Sequence, residues 1–523
     1  MTSPSKLEWR QYAYFPYERV FAQLEAERLS QSAALEGDCG LILPDGSITA
    51  ANADRLTYFG RVVLSGGREI IPQQARLEAS AHSTTTERQA TRYSAHGLHE
   101  YKGKFNPQVV RAIGNILGLQ ADASVLDPFC GSGTTILECA HAGWDAVGVD
   151  RNPLAVRITN AKIHALKHIA HLQALGQEVD QALEEFARPL CELTSGNSEA
   201  ISVILGREWS TELSDPDYLM TWFPLPVLAQ LVAIQRVLGR VVRRKDCRAV
   251  FDVVLSDYLR RASLQDPGDL RIRRRKQPAE NYPIIDWFRA GIHSRFTKIS
   301  RARDALGSIR GTQRAELADT REINWSQVKG RPRAGFDAII TSPPYETALP
   351  YIDTQRLSLV LLGDIVGAQV SETERALIGA RDLGRTERRQ LEQEIREGTA
   401  EVPPSVLGLC RDLLSAAAAP GNGFRRVARP ALVLRYFKGM ASFFAGSIRA
   451  LRPGGVAALV VGSNRTVLGG REFVIDTPRL LADVARHTGY LVEDLRSMDT
   501  YPRYDLHQKN SIDSEQLVIL RAK

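Results

Sequence analysis

The chain has 523 residues, and its hydrophobic (44%) and charged (24%) contents are ordinary for globular proteins, which excludes a mainly disordered or fibrous chain. At about 150 residues per domain, this length predicts roughly two to four domains. The formal net charge is only +7, no apolar run approaches the ~18 residues of a membrane helix, and the six cysteines contain no CxxC pair. We therefore expect a cytoplasmic protein without a disulfide framework, a metal or a membrane segment.

Residues 1–90 are predicted to form an accessory module. Residues 7–29 have the pattern of a helix, strand-like pieces follow around residues 58–67, and the polar run at 79–89 is typical of a linker. No motif in this module indicates its role.

Strands and helices alternate in the next segment, predicted to span residues 91–174. Helix, strand, helix, strand and helix are expected at 105–119, 124–127, 134–143, 145–150 and 153–168. This spacing is typical of a parallel α/β unit, so we predict an α/β fold.

Residues 175–315 are predicted to be a helical insert that interrupts this α/β domain. Between Arg236 and Arg303 the chain has 18 Lys and Arg against 7 Asp and Glu, a net of +11, which leaves −4 for all other residues. Positive charge concentrated in one segment favours a polyanionic partner through counterion release, although a solvated basic surface would have the same composition.

The alternation resumes in residues 316–523, the second part of the α/β domain. A strand at 336–340 runs into Thr-Ser-Pro-Pro-Tyr, and a smaller helical insert is expected at about 365–430. Helix, strand, helix and two strands should then follow at 437–451, 456–462, 477–489, 490–497 and 515–522.

The turn after the strand at 124–127 has the features of a cofactor site. Asp127 ends the strand, and Gly131 and Gly133 let the backbone approach a ligand closely. No Gly-Lys-Ser/Thr follows, so this is not a P-loop. Asp150, at the end of the next strand, is suited to accept hydrogen bonds from ribose hydroxyls.

DPFCGSGTT and the downstream VGVDRNPLA resemble the cofactor motifs of the S-adenosylmethionine-dependent methyltransferases that act on exocyclic amines of DNA bases, cytosine N4 or adenine N6. The resemblance implies a Rossmann-like, doubly wound sheet with an antiparallel last strand, and S-adenosylmethionine as cofactor. HEYKGKFNPQVV resembles the segment that precedes the glycine turn in this family. The resemblance thus assigns to cofactor binding Lys104, Phe105, Asp127, Phe129, Gly131, Gly133, Asp150 and Asp319.

The resemblance also implies that Ser342, Pro343, Pro344 and Tyr345 are the catalytic residues. The lone pair of an exocyclic base amine is delocalised into the ring, so catalysis must hold both N–H bonds and turn that lone pair toward the methyl donor. The Ser342 side chain and the Pro343 carbonyl can accept these hydrogen bonds, and successive prolines fix the loop in advance. Tyr345 offers an aromatic face to a base that has left the duplex.

Serine rather than aspartate at the first position of the motif resembles the cytosine-N4 branch of the family more than the adenine-N6 branch. In relatives with this motif order the intervening segment recognises the target, in agreement with the basic insert. We expect phosphate contacts from Arg260, Arg261, Arg271, Arg273, Arg274, Arg275 and Lys276.

The sequence therefore predicts a site-specific methyltransferase of double-stranded DNA, with restriction or phage-defence proteins as partners. Three alternatives stay open: adenine-N6 methylation, an RNA amino-methyltransferase, and a non-catalytic DNA-binding subunit that retains a cofactor pocket.

Overall fold

The computed structural model describes residues 3–81, 88–194, 196–269, 272–346, 350–419, 423–499 and 514–523. Their first elements are β1 (Ser5–Trp9), α1 (Pro16–Ser30), β2 (Leu35–Gly37), β3 (Gly40–Leu43), α2 (Ala50–Arg55), β4 (Phe59–Val63), β5 (Glu69–Ile70) and α3 (Gln73–Ala79). These strands form an antiparallel sheet in the order β2-β3-β1-β4-β5.

The helix predicted over residues 7–29 is wrong at its start. Ser5–Trp9 is a strand paired with both β3 and β4, and α1 begins only at Pro16. Ser5 and Leu7 are buried while Lys6 is exposed, an alternation that suits a strand with one face on the core.

The large sheet is assembled from segments on both sides of the helical insert. The first segment contributes α4 (Pro107–Ile116), β6 (Ser124–Asp127), α5 (Thr134–Ala142), β7 (Asp145–Asp150) and α6 (Pro153–Lys167). After the insert come β8 (Gln313–Leu317), β9 (Phe336–Thr341) and α13 (Tyr351–Leu361), with the intervening helices described below. The chain ends with α18 (Arg429–Ser447), β10 (Leu451–Gly462), β11 (Asn464–Leu468), β12 (Arg471–Ile475), α19 (Thr477–His487), β13 (Tyr490–Asp499) and β14 (Ser514–Ala522).

Seven of these strands form one sheet in the order β13-β14-β10-β9-β6-β7-β8. The pairs from β10 to β8 are parallel, whereas β14 runs antiparallel to both of its neighbours. The side chains of consecutive residues point to opposite faces of the sheet. Val125 packs into the hydrophobic cluster on one face, and Leu126 packs into the cluster on the other. The predicted doubly wound α/β sheet with an antiparallel last strand is confirmed.

Asp337 fixes the amino-terminal ends of β6 and β9 relative to each other. Its Oδ2 accepts from the backbone nitrogen and the hydroxyl of Ser124 at 2.8 and 2.9 Å, and its Oδ1 accepts from Arg452 at 2.7 Å. Two strands that are remote along the chain are thereby held in register.

The large insert consists of α7 (Ile169–Cys191), α8 (Ser198–Leu205), α9 (Pro216–Met220), α10 (Leu225–Val241), α11 (Lys245–Ala262) and α12 (Ile284–Leu306). Helix α7 crosses the predicted boundary at residue 175, and β8 crosses the one at residue 315. Arg356 of α13 connects the insert to the sheet domain: it is buried, donates to the Tyr218 hydroxyl at 2.8 Å and stacks over Trp222 at 3.8 Å.

The later insert contains α14 (Val370–Arg375), α15 (Arg385–Glu397), α16 (Pro404–Ala417) and α17 (Phe424–Val427). An antiparallel hairpin of β11 and β12, which the sequence did not predict, follows β10. None of the helices in the described ranges is both long enough and apolar enough to cross a membrane.

A buried polar cluster anchors the segment before α4 to helix α5. One oxygen of Glu138 is hydrogen-bonded to the Tyr93 hydroxyl at 2.8 Å, to His96 at 2.7 Å and to His141 at 2.9 Å. One ligand atom each of His96, Glu138 and His141 lies within 4.8 Å of the others, a spacing that could also hold a metal ion.

Candidate active site

The turn between β6 and α5 depends on two glycines with a left-handed backbone. The φ angles are +48° at Gly131 and +75° at Gly133, values that residues with a side chain rarely adopt. A Cβ on Gly133 would also lie 2.5 Å from Thr159 of α6. From the same helix, Lys162 donates to the Ser132 carbonyl at 2.7 Å. The turn is thus packed directly on α6.

Asp127 lies beneath this turn and is buried. Its Oδ1 accepts from the Thr341 hydroxyl at 2.6 Å and from the backbone nitrogen of Phe129 at 3.1 Å. Burial raises its pKa to about 6, and these hydrogen bonds oppose the rise. Asp127 therefore connects the glycine turn to the end of β9.

Asp150 holds the turn from the neighbouring strand. Its two oxygens accept from the backbone nitrogens of Gly131 and Asn152, each at 2.8 Å. Burial raises its pKa to about 6, so the carboxylate is ionised at neutral pH. An ionised carboxylate has about four acceptor positions, so Asp150 keeps acceptor capacity for a ligand hydroxyl.

The glycine turn and the Ser-Pro-Pro-Tyr loop border one cleft at the carboxyl ends of the parallel strands. Its volume, open mouth included, is about 690 Å³. The predicted site residues that line it are Phe129, Gly131, Asp150, Asp319, Ser342 and Pro344.

Pro343 is buried, and Tyr345 is half-buried beside the cleft. The Tyr345 hydroxyl donates to Glu515 of β14 at 2.5 Å. Burial, followed by the charge of Glu515, raises the pKa of Tyr345 well above its usual value, so the phenol stays protonated. The last strand of the sheet thereby fixes the orientation of the motif's tyrosine.

Asp319 lines the cleft next to Asp150 with two arginines on its carboxylate. Arg321 donates to its two oxygens at 2.9 and 2.5 Å, and Arg151 forms a further ion pair with it. Burial alone would raise the pKa of Asp319, but the hydrogen bonds from Arg321 lower it below the usual value. This carboxylate is therefore a fixed negative charge at the cleft.

Lys104 and Phe105 lie in a neighbouring hollow, not in the cleft of the glycine turn. The Lys104 ammonium donates to the Thr91 carbonyl at 2.7 Å, and burial lowers its pKa well below the usual value. Tyr101 lines both the hollow and the cleft. The assignment of Lys104 and Phe105 to cofactor binding stays a prediction.

Sequence reasoning missed several residues that line the cleft. Tyr101 lies against the glycine turn, because a Cβ on Gly131 would be 3.5 Å from its ring. Tyr351, the first residue of α13, and Arg151, next to Asp150, also line the cleft. Tyr101 lies within HEYKGKFNPQVV, Arg151 directly follows Asp150, and Tyr351 lies six positions after Tyr345, so each of them is close to a motif in the sequence.

The predicted phosphate-contact residues lie on the insert around the end of α11. Arg261, Arg273, Arg274 and Lys276 are exposed, Arg260 and Arg275 are half-buried, and Arg271 lies outside the described residues. Some of these guanidinium groups bind backbone carbonyls: Arg275 donates to Ser263 at 3.0 Å, and Arg274 to Thr221 at 2.5 Å. Part of this charge therefore braces the loop that carries it.

The cleft fits the chemical groups of S-adenosylmethionine. Asp150 has acceptor capacity for a ribose. Phe129 offers an aromatic surface and makes an edge contact with Phe443 at 4.9 Å. Glycine at position 131 keeps the cleft open, because a Cβ there would point toward the Tyr101 ring and narrow it. The acidic side chains also suit a ligand with a positive sulfonium.

Residues 81–161 match the model of a family described as DNA methylase, the N6 and N4 methyltransferases. The Type II methyltransferase M.MjaII of Methanocaldococcus jannaschii is 31% identical over 117 residues, 21% of this chain and 20% of that protein. M.BsoBI of Geobacillus stearothermophilus is 22% identical over 280 residues, 52% and 53% of the two chains. M.MvaI of Kocuria varians is 22% identical over 284 residues, 51% and 57%.

The chain thus spans between a fifth and somewhat over half of the length of these relatives. A solved structure of a SAM-dependent methyltransferase from Methanosarcina mazei aligns with a TM-score of 0.25 and 10% identity, over 77% of this chain and 93% of that one. The strand order and the site, not that alignment, define the fold.

The strand order, the glycine turn and the strand-ending acid agree with the S-adenosylmethionine-dependent methyltransferase class that the family match indicates. Within this class the chain is a relative of the amino-group DNA methyltransferases. The resemblance predicted from the motifs is confirmed, as is S-adenosylmethionine as the cofactor of the family.

Proposed function

We propose that this protein transfers a methyl group from S-adenosylmethionine to an exocyclic amine of a base in double-stranded DNA. The observation that carries the proposal is the shared cleft, in which Ser342 and Pro344 face Gly131 and Asp150. The hydrogen bond from Thr341 to Asp127 keeps the two strand ends together.

Asp150 would hold the ribose of the cofactor, Phe129 and the glycine turn would surround its methionine end, and Asp319 would reach the adenine amine. The bound cofactor supplies an electrophilic methyl sulfonium. Because Arg321 and Arg151 already bind Asp319, its remaining acceptor capacity would decide how the adenine amine is held.

The Ser342 hydroxyl and the Pro343 carbonyl would accept the two hydrogen bonds of the target amine. This arrangement moves the nitrogen toward tetrahedral geometry and directs its lone pair at the methyl group. The burial of Pro343 supports a loop formed in advance, so its carbonyl needs no reordering on binding. Tyr345, whose hydroxyl is held by Glu515, would lie against the base, which must leave the duplex to reach the cleft.

Serine at the first motif position supports cytosine N4 as the acceptor, with adenine N6 as the second candidate. The helical insert, predicted as residues 175–315, would recognise the target. Its exposed Arg261, Arg273, Arg274 and Lys276 support contacts to DNA phosphates. Action in the cytoplasm, beside restriction or phage-defence proteins, is part of the same proposal.

The test measures transfer of label from radioactive S-adenosylmethionine to duplex DNA and, separately, to structured RNA. We expect label in DNA only. Pro343→Ala and Tyr345→Ala should each retain cofactor binding and lose transfer. Label in RNA alone would identify an RNA methyltransferase, and cofactor binding without transfer to any nucleic acid would favour a non-catalytic subunit. Unchanged transfer by both variants would contradict the assigned mechanism.

A further inference from the structure

The N-terminal module carries a surface on which arginines cap aromatic rings, here called the aromatic ledge: Trp9, Tyr14, Phe15, Arg19 and Arg88. Trp9 stacks on Phe59 at 4.8 Å and 18°. The exposed Arg19 guanidinium lies 5.1 Å from the Trp9 ring and 5.4 Å from the Tyr14 ring. These rings hold Arg19 in a defined position on the surface.

Arg88 caps the other end of the ledge. Its guanidinium lies 3.6 Å from the centre of the Phe15 ring and donates to the Ala13 carbonyl at 2.9 Å. Its side chain is 37% exposed, with Glu18 at 3.6 Å. Among the residues that the structure describes, no carboxylate lies within 4.0 Å of Arg19. A stacked guanidinium keeps its N–H donors in the plane of the group, where they match phosphate oxygens.

Helix α1, which carries Arg19, lies next to the strands that hold Tyr345. Helix α1 packs against β13, and Met498 of β13 is the register partner of Glu515, which binds the Tyr345 hydroxyl. Burial, followed by the charges of Glu18 and Glu515, raises the pKa of Tyr17 on α1. Glu515 is therefore close enough to act on both the N-terminal module and the catalytic loop.

A basic segment connects the ledge to the cleft. Residues 88–104 contain four Lys and Arg and one Glu. The side chains of Arg92 and Lys102 are 68% and 47% exposed, and both pair with Glu100, at 3.6 and 2.7 Å. Tyr101 and Gly103 of the same segment line the cleft. The exposed part of this segment therefore carries a small net positive charge between the ledge and the proposed reaction site.

The basic insert uses the same pairing of arginine and aromatic ring. Arg261 lies 4.0 Å from the Trp287 ring, Arg274 lies 4.8 Å from Trp222, and Arg275 lies 5.0 Å from Tyr282. The N-terminal module therefore presents the kind of surface that the insert presents, although its sequence contains no cluster of adjacent basic residues.

We propose that the aromatic ledge binds the phosphate backbone of duplex DNA beside the target base, as a second contact in addition to the insert. This inference rests on the proposed function for the choice of DNA as partner. It gives the accessory module a role: holding the flanking duplex while the cleft accepts the base.

The test is a salt titration of the full-length protein on a fluorescein-labelled duplex, followed by fluorescence anisotropy. Each neutralised phosphate contributes a slope of about 0.9 to the dependence of log affinity on log salt. We expect R19Q/R88Q to lower the slope by about two, and R19K/R88K to retain it. The control is R61Q, since Arg61 in the same module is 46% exposed but lies within 3.0 Å of both Glu8 and Glu69, whereas Arg88 faces the single carboxylate of Glu18 at 3.6 Å. A wild-type melting temperature would exclude unfolding.

An unchanged slope in R19Q/R88Q would overturn the inference, as would an equal loss in R61Q. Methyl transfer is measured on the same preparations. Intact transfer with an unchanged slope would reject the ledge and leave the proposed function standing. Absent wild-type transfer together with a reduced slope would support the ledge while rejecting the proposed function.

Discussion

Thr341 donates a hydrogen bond of 2.6 Å to Asp127, although the two residues are 214 positions apart in the chain. One residue ends β9 and the other ends β6, and these strands are adjacent in the sheet. This contact joins the loop with two prolines to the loop with two glycines, so the spacing between the proposed catalytic and cofactor residues depends on it.

We expect Thr341→Val to destabilise the protein and weaken cofactor binding. Valine keeps the shape of threonine but removes the donor to a buried carboxylate, at a cost of about 1.5–3 kcal/mol. Urea unfolding and cofactor titration measure the two effects. Thr341→Ser, which keeps the hydroxyl, should recover most of both losses. Wild-type cofactor affinity in Thr341→Val would show that this contact does not position the site.

Gly133→Ala should destabilise the protein more than Gly454→Ala. Both glycines have a positive φ, +75° and +72°, so alanine at either carries a backbone strain of about 1–2 kcal/mol. Only Gly133 has a neighbour in the way, Thr159 at 2.5 Å, whereas a Cβ on Gly454 meets nothing within 4 Å. The clash adds about 1–3 kcal/mol. Equal unfolding free energies would contradict the packing of the turn on α6.

Cofactor affinity should fall as the pH drops below about 6. Burial raises the pKa of Asp127 and of Asp150 to about 6. Protonation of Asp150 below this pH removes the proposed acceptor of the ribose hydroxyls, so the cofactor affinity should fall about tenfold for each further pH unit. The stability of the free protein should change in the opposite sense. A raised carboxyl pKa contributes stability below the unfolded value of 3.8 and loses it as the pH rises through about 6.

Calorimetric titrations between pH 5 and pH 8 measure this effect, with Asp150→Asn as the comparison. That variant should bind the cofactor weakly, with a flatter pH profile, since it keeps the amide oxygen but cannot be ionised. An affinity of the wild-type protein that is constant over this range would contradict the role of Asp150.

Lys162→Met should remove part of the pH dependence of stability above neutrality. Burial lowers the pKa of Lys162 to about 7. The cost of the buried charge is therefore fully present below that pH and declines as the pH rises toward 10.5. This group alone adds about 1.4 kcal/mol of stability per pH unit in the window. Unfolding free energies of wild type and variant at pH 7 and pH 9.5 give the difference, with exposed Lys298→Met as the control. A difference that does not vary with pH would refute this assignment.

The strand ends and the glycine turn could be predicted because their signals are local. A buried strand followed by glycines and a helix has a short, fixed pattern, and Asp150 follows it at the end of the next strand. Each motif could thus be recognised alone, and the order of a parallel sheet brings the motifs to one edge.

The features that were missed depend on partners far away in the chain. The hydrogen bond between Tyr345 and Glu515 joins residues 170 positions apart. The spacing of apolar residues in the sequence does not predict such a contact. The prediction of a helix at residues 7–9 is wrong because β1 is defined by its pairing with β3 and β4, which the local sequence pattern does not show.

The most direct test of the central claim is the identity of the modified base. Genomic DNA from cells that express the protein is hydrolysed to nucleosides and examined by mass spectrometry, beside DNA from cells that express Ser342→Ala and from cells with neither. We predict N4-methylcytosine with the wild-type protein only. DNA without any methylated exocyclic amine, from cells in which the folded protein binds its cofactor, would contradict the account.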